Sequence, residues 1–532
     1  MKIIYVKVHN IVKEINENKI SDKGQISMNI CNETKDEENY NNIDEIKKIY
    51  NSDNLNNFMK IFNSFSDTNI QKTVQIFDDI ENKKKIYIDD ITYDKFIQNF
   101  KKENEKDDLF LFFNENKNNE GKIIFKFIKM KISLIKLYFE ELIYLDSSSK
   151  GIKNKMILNN HLYLPENIRI DYFNSFLEGI STSYGEHSLK IDRFKANNFY
   201  DKCNENSEKI PDVELKETIF GQLFNYFKTY SGEEFRIRKN SRFFRVDFQG
   251  EGAIDAGGPY HETISLMCNE LQSDYLDLFI KTPNNKNNLG ELRDKFIANP
   301  NANKNIYKNA YEFLGKFFGM AISSGEALSL NLHPIIWKII LENKIEFDEY
   351  RTIDLSIYNL IKELEEGLKN KDNNLLNNLD LYFVIKNSNN SDIELMKNGK
   401  TTKVTLENLD NYINLVKSKR INEFSIQREF IKKGIYSVID KNILQILMWT
   451  QFEEMVCGKN KLDIKDFKSH TIYSGYTIKD KIIEWFWEWL EKSEEKKQFK
   501  YLKYVSGRTR LPKPGTRSSY THTITKVSVN NV

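Results

Sequence analysis

Apolar residues recur at helical spacing along most of the chain and alternate at strand spacing in a few short stretches. The widest helical stripe is Leu215, Ile219, Phe220, Leu223, Phe224 and Phe227. It leads into Phe244, Val246 and Phe248, which alternate with Arg245 and Asp247 as in a half-buried strand. Gly250, Gly252, Gly257 and Gly258 then mark a turn region able to take positive φ. Pro259 suits the first turn of a helix, and Ile264, Met267, Cys268 and Leu271 return to helical spacing. Asp255 and Glu262 in this region are expected to bond to the surrounding backbone. The strongest helical signal spans 306–328, with Tyr307, Tyr311, Leu314 and Phe318 on one face. Gly315 and Gly319, four apart, predict a place where another backbone comes close, by packing in a globular interior rather than in a membrane.

Further helices are predicted at 333–343 and at 354–367, the latter with Ile357, Leu360, Ile361 and Leu364 apolar. LDLYFVI (379–385) alternates. ELMKNGKTTKV (394–404) predicts a hairpin turning at Asn398-Gly399, and Thr405 is expected to cap a helix bearing Leu406, Leu409, Ile413 and Val416. IIEWFWEWLEK (482–492) reads as an aromatic helix, 499–515 runs into a basic turn, and 521–532 has strand character. Toward the N-terminus, 41–58 and 113–122 are polar and of low complexity. Between 123 and 145 the pattern is one long helix or a strand followed by a helix, buried with its lysines reaching outward. Pro165 is expected to open a helix with Ile168, Tyr172, Phe173 and Phe176 on its apolar face.

Composition narrows the function classes. The 532 residues carry 79 basic and 77 acidic side chains, net +2, which argues against a bulk electrostatic binder of nucleic acid. The basic segments LKNK and SGRTRLPKPGTR lack aromatic interleaving, and a basic surface turn explains them. The glycine-rich turn matches neither GxxxxGK[ST] nor GxGxxG, so a nucleotide site is not expected. The four cysteines, Cys31, Cys203, Cys268 and Cys457, are widely spaced with no CxxC, and the seven histidines form no zinc pattern. No cofactor or metal is expected. The first residues are broken by lysines and make a poor signal peptide, and no apolar run reaches transmembrane length. A reduced cytoplasmic or nuclear setting fits.

In chain order, FRVDFQGEGAIDAGGPYHE, YEFLGKFFGMAISSGEALSLNLHPIIWK, ELMKNGKTTKVTLENLDNYINLV, MVCGKNKLDIKDF, YSGYT, WFWEWL and LKYVSGRTRLP fall as they do in a HECT domain. From about Leu215 onward the chain resembles a HECT-type E3 ubiquitin ligase. TIFGQLF, DAGGPYHE and TPNNKNNLGELRDKFIANP are most similar to the large HERC-type members, without their propeller repeats.

The resemblance implies an α+β fold of two lobes. It implies a mostly helical N-lobe at 215–457 containing a small E2-docking subdomain at about 357–434. A hinge at Gly458, Lys459, Asn460 and Lys461 would lead to an incomplete α/β C-lobe at 462–532. An Asn/Lys-rich region of unknown role (1–155) and a helical extension (156–214) would precede them. The implied partners are a ubiquitin-charged E2, ubiquitin and protein substrates. The E2 would dock on Ile357, Ile361, Leu379, Leu381 and Tyr412, with Tyr412 exposed beside a buried stripe.

In the family a C-lobe cysteine in an LPTxxTCF-like segment takes ubiquitin as a thioester and passes it to a substrate lysine. No cysteine follows Cys457, and the sequence reaches Val532 before any such segment. The expectation is therefore a chain truncated before its thioester cysteine, ending on an unpaired strand and unable to transfer by itself. Cys268 and Cys457 are expected to be structural. His522 lacks the flanking Leu-Pro and Cys-Phe of the motif. The alternative is a non-catalytic scaffold that binds E2 or ubiquitin.

Overall fold

The structure, a computed structural model, describes residues 67–84, 88–103, 107–115, 120–142, 161–182, 187–205, 211–252, 255, 257–370, 376, 379–459, 462–508, 510–511 and 520–527. The segment 41–58 lies outside the described residues. The chain divides into two compact units, Met1–Arg169 and Ile170–Val532.

The first unit contains α1 (Asp67–Lys84), α2 (Tyr93–Glu103), α3 (Asp108–Glu115) and α4 (Glu120–Leu142). Phe96 on α2 is fully buried, with its ring 5.1 Å from Phe113 and 5.2 Å from both Phe77 and Phe125. The long apolar run is thus one helix, α4, burying Ile124, Phe125, Ile128, Ile132 and Ile135. Lys122 and Lys126 are exposed as expected, whereas Lys129 and Lys131 are half-buried. Lys129 Nζ donates to the Ile91 carbonyl at 3.1 Å, and Lys131 sits 5.6 Å from the Tyr163 ring. Among the described residues no helix is long and apolar enough to cross a membrane.

Helix α5 (Glu166–Ile180) follows Pro165 and carries the division between the units. It buries Phe173 and Leu177, while Ile168, Tyr172 and Phe176 are only half-buried, so the apolar seam is displaced from the expected one.

In the second unit, β1 (His187–Ile191) pairs in parallel with β2 (Phe244–Phe248). The chain between them forms α6 (Arg193–Glu205) and α7 (Ile219–Phe227), the crossover a parallel pair needs. Every apolar residue expected on the α7 stripe is buried. The glycine turn is closed by Asp255, whose carboxylate accepts from the amides of Val246 (2.9 Å) and Gly257 (2.8 Å) and faces Arg242 at 3.2 Å. Glu262 instead pairs with Arg193 at 2.6 Å, so only one of the two acids serves the backbone. Gly257, at φ 115°, starts α8 (Gly258–Leu271).

Next come β3 (Phe279–Lys281), α9 (Pro283–Asn287) and β4 (Phe296–Ala298), with β3 and β4 antiparallel. α10 (Asn305–Ser324) runs through the middle of this unit and crosses α14 (Ser425–Val438) at backbone contact. A Cβ at Gly315 would meet the Ile431 carbonyl oxygen at 2.1 Å. One at Gly434 would meet the Glu312 carbonyl oxygen at 2.0 Å. Gly315 therefore does what the glycine spacing predicted, in a globular interior, while a Cβ at Gly319 would meet the Val438 side chain at 2.6 Å. Between these helices lie α11 (Pro334–Ile340), α12 (Leu355–Lys369), the antiparallel pair β5 (Val384–Lys386) and β6 (Asp392–Glu394), and α13 (Leu409–Ile421). α15 (Lys441–Leu444) and α16 (Trp449–Cys457) follow.

The predicted hairpin is displaced. β5 and β6 turn at Asn387–Ser391, and Gly399 has no positive φ. Gly399 is needed for space, since a Cβ there would lie 2.3 Å from the Phe383 carbonyl oxygen. Thr405 does not cap α13, whose N-cap is Asn408.

The C-terminal part holds α17 (Ile464–Ser469), β7 (Thr471–Ser474), α18 (Lys481–Lys492), α19 (Glu495–Ser506) and β8 (His522–Thr525). Its core is Leu462, Phe467, Ile483, Trp487, Leu490, Leu502 and Leu511. The last strand is not unpaired: β8 runs parallel to β7 in register from Thr471–His522 to Ser474–Thr525. Much of the stretch read only as leading to a basic turn is α19. Helices with four two-stranded sheets among the described residues make the fold α+β.

Candidate functional site

The expected docking residues lie on α12, the strand region after it, and α13. Asp354 caps α12 by accepting from the Ile357 amide at 3.1 Å. The inner face of α12 buries Ile361 and Leu364, leaving Ile357 and Leu360 half-buried. Leu379 and Leu381 are also half-buried. Leu381 lies in an extended strip where the Val404 amide donates to its carbonyl (2.8 Å) and the Leu395 amide donates to that of Phe383 (2.8 Å).

Tyr412 departs from expectation. It is only 3% exposed, edge-on to Phe383 with ring centroids 5.5 Å apart, and burial raises the pKa of its hydroxyl. Its place in the sequence beside an apolar stripe suggested exposure. Phe383 covers it, and helical spacing carries no trace of that partner. Of the five expected docking residues, Ile357, Leu379 and Leu381 are half-buried, whereas Ile361 and Tyr412 are buried. Met396 (40%) and Leu406 (39%) are exposed on the strip around Gly399; Met396 was not singled out from sequence, and Leu406, expected on the apolar stripe of the next helix, precedes α13 and faces solvent instead. Placing an apolar residue on each side of the Asn398-Gly399 turn was the available signal.

Around Arg420 lies a buried charged network. Arg420 Nη1 lies 3.3 Å from Glu423 Oε2, and Arg420 Nη2 donates to the Lys386 carbonyl at 2.5 Å. Tyr350 Oη and Ser388 Oγ each donate to Glu423 Oε2 at 3.0 Å. Burial alone would lower the Arg420 pKa, but Tyr350, Glu423 and Asp354 outweigh it and raise it. The same region is stitched to the rest of the unit by side-chain amides. Asn387 Nδ2 donates to Asn301 Oδ1 (2.8 Å) and Asn389 Nδ2 to Asn299 Oδ1 (3.1 Å).

At the expected hinge, Gly458 ends α16 with φ +69°, and a Cβ there would lie 2.3 Å from the Leu511 carbonyl oxygen. Lys459 donates its amide to that same carbonyl at 3.1 Å. Asn460 and Lys461 lie outside the described residues.

Three of the cysteines are described: Cys203, Cys268 and Cys457, all buried. Burial pushes the Cys457 thiol up to about 12 and raises Cys268 further, against a smaller opposing effect of Arg510. A nucleophilic cysteine needs the reverse, a lowered pKa and access. Among the described residues no group of His, Cys, Asp and Glu could hold a metal ion. His522 is enclosed in aromatic rings, with Nδ1 2.9 Å from Thr471 Oγ1 and Nε2 2.8 Å from Tyr501 Oη.

Comparison with known proteins fits these features. The profile of the HECT-domain (ubiquitin-transferase) family matches residues 265–531. The chain is 30% identical over 302 residues to the mouse E3 ubiquitin-protein ligase HERC2, covering 56% of this chain and 6% of that protein. It is 26% identical over 284 residues to the rat E3 ubiquitin-protein ligase NEDD4, covering 52% and 30%. It is also 26% identical over 275 residues to the Schizosaccharomyces pombe E3 ubiquitin-protein ligase pub1, covering 51% and 34%. The chain thus spans about a third or less of the length of these curated relatives.

Proposed function

Because this chain belongs to the HECT-domain (ubiquitin-transferase) family, we propose that it serves as a HECT-type E3 ubiquitin ligase. In this reading a ubiquitin-charged E2 docks on the small subdomain of an N-lobe. Ubiquitin passes to a cysteine as a thioester and then to a lysine of a protein substrate. The aliphatic residues of α12 and the strip after it carry the reading. Half-buried Ile357, Leu379 and Leu381 and exposed Met396 and Leu406 offer apolar contact, while Ile361, Tyr412 and the Arg420–Glu423 network are buried. A few apolar anchors on a rigid base are what a transient protein interface needs.

A second reading rests on the cysteines. A thioester nucleophile must be reachable and able to ionise, and Cys203, Cys268 and Cys457 are buried. The transfer step therefore uses none of these three. With them alone the chain acts as a docking scaffold for E2 or ubiquitin and forms no thioester of its own.

Binding of a panel of ubiquitin-charged E2 enzymes to the purified chain tests the first reading. At least one E2 binds, and Leu381→Asp or Ile357→Asp abolishes binding without unfolding the protein. Absence of binding across the panel sinks it. Incubation with E1, E2 and ubiquitin separates the two readings. A reductant-sensitive ubiquitin adduct abolished by Cys203→Ser, Cys268→Ser or Cys457→Ser would contradict the cysteine assignment.

A further inference from the structure

The proposed hinge at 458–461 is not the only place where the C-terminal part meets the rest of the second unit. After α19 the chain passes Gly507, at φ +70°, and lies against the first turns of α8. Ser265 Oγ donates to the Gly507 carbonyl at 2.9 Å, and a Cβ at Gly507 would come within 3.1 Å of the Gly258 carbonyl oxygen. Arg508 Nη2 then reaches Glu326 Oε2 at 3.2 Å, and its Nε lies 3.3 Å from His261 Nδ1. His261 Nδ1 is itself 3.1 Å from Glu326 Oε2, whose side chain is 6% exposed. Arg510 donates to Asn331. Leu511 ends the segment with its side chain in the C-terminal core and its carbonyl on Lys459.

We propose that Gly507, Arg508, Arg510 and Leu511 make a second tether between the two parts, and that Arg508 is the positioning residue that sets their mutual orientation. A single flexible connector lets a lobe turn about several axes. Two attachment points leave one, through both of them. Rotation about Gly458 alone would pull the Arg508 guanidinium from a carboxylate that is almost fully buried. Such a loss opposes the movement strongly. The glycine-rich turn and the start of α8 then have a mechanical role as the platform on which this segment lands. The role of the tether in ubiquitin transfer rests on the function proposed above; its existence does not.

The test is a distance distribution between spin labels at Lys281→Cys and Lys497→Cys, both on exposed positions, in a Cys31→Ser background. The otherwise unaltered protein gives one narrow population. Arg508→Ala broadens it about twofold or adds a second distance, because the restraint on slow interdomain motion is gone. Arg508→Lys, which keeps the charge opposite Glu326, restores most of the narrowness. If Arg508→Ala fails to fold, Ser265→Ala decides, since it removes only the bond to Gly507 and broadens the distribution in the same direction. A broad distribution in the starting protein, or one unchanged in a folded Arg508→Ala or Ser265→Ala, overturns the tether. E2 affinity measured on the same proteins stays unchanged by Arg508→Ala. Failure of every E2 to bind would count against the functional reading and leave the distance result standing.

Discussion

Helices α10 and α18 are both rich in large apolar residues, yet they are used in opposite ways. α10 is buried on nearly every side from Tyr307 onward, even at Lys316, whose ammonium donates to the Tyr230 carbonyl at 2.7 Å. α18 buries one seam, Ile483, Trp487 and Leu490, and shows Ile482, Trp485 and Trp489 to solvent. The difference comes from small residues. Gly315 and Gly434 let α14 lie against α10 at backbone distance, and Gly319 makes room for the Val438 side chain, so a second helix covers a face that would otherwise stay open. α18 has no glycine or alanine, and its neighbours meet it along one seam. Hydrophobic content says that a helix has something to bury; residue size and period say how much of it can be covered.

The largest effect expected from this contrast is inside α18 itself. Trp487 is 2% exposed, and its indole Nε1 donates to Tyr473 Oη at 2.9 Å. Trp487→Ala should cost about 3–5 kcal/mol of unfolding free energy, from the cavity and the lost bond together. Chemical denaturation followed by circular dichroism measures it. A loss below about 1 kcal/mol would mean that the C-terminal core is loosely packed.

The next effect belongs to the α10–α14 crossing. Gly434→Ala places a methyl 2.0 Å from the Glu312 carbonyl oxygen, where only backbone could move aside. Overpacking of this kind costs about 1–3 kcal/mol. Gly179→Ala on α5 is the control. Its added methyl meets nothing within 4 Å, so helix propensity alone acts, favourably by about 1 kcal/mol. Equal responses of the two variants would remove the steric account of the crossing.

A pH-dependent effect compares one histidine on each side of Gly458. His333 caps α11, with Nδ1 accepting from the Ile335 amide at 3.2 Å, and burial followed by Lys295 lowers its pKa to about 3. His522 is lowered by burial as well. Both are neutral when folded, whereas the unfolded chain takes up a proton below about pH 6.5. Their contribution to stability is therefore intact above that pH and is lost as the pH falls toward the folded value, by up to about 1.4 kcal/mol per unit for each group. His333→Asn keeps a cap acceptor and should flatten the slope of unfolding free energy between about pH 6.5 and 4. An unchanged slope would place the proton uptake elsewhere.

The legible elements were those whose partners the period implies. The strand Phe244–Phe248, the α7 stripe and α10 announce a buried face, and any apolar neighbour satisfies it. Tyr412 was illegible because a particular neighbour, Phe383, covers it. Gly399 was misread because a glycine selected for closeness to a carbonyl looks the same in sequence as one selected for positive φ. In α19 the lysines at 496, 497, 500 and 503 outnumber the buried Gln498 and Leu502 and conceal a helix that packs on two side chains. Arg508 and His261 lie 247 positions apart, beyond any local pattern. The family pattern pointed to Ile357 and Leu381; the exposure of Met396 and Leu406 needed the folded backbone.

The smallest effect is the sharpest check on the contrast between the two helices. Trp485 is 64% exposed and Trp489 49% exposed, so most of each ring is already in water. Trp485→Gln exchanges an aromatic for a better helix former and removes little buried area, which should leave stability within about 0.5 kcal/mol. Acrylamide quenching of the five tryptophans gives an independent reading, because an exposed indole is quenched readily and Trp487 is shielded. The quenchable fraction should fall in Trp485→Gln while the shielded fraction stays. A loss of about 2 kcal/mol or more, comparable to burying a full side chain, would mean that the outer face of α18 is covered in the folded protein. The two helices would then differ in what covers them rather than in whether they are covered.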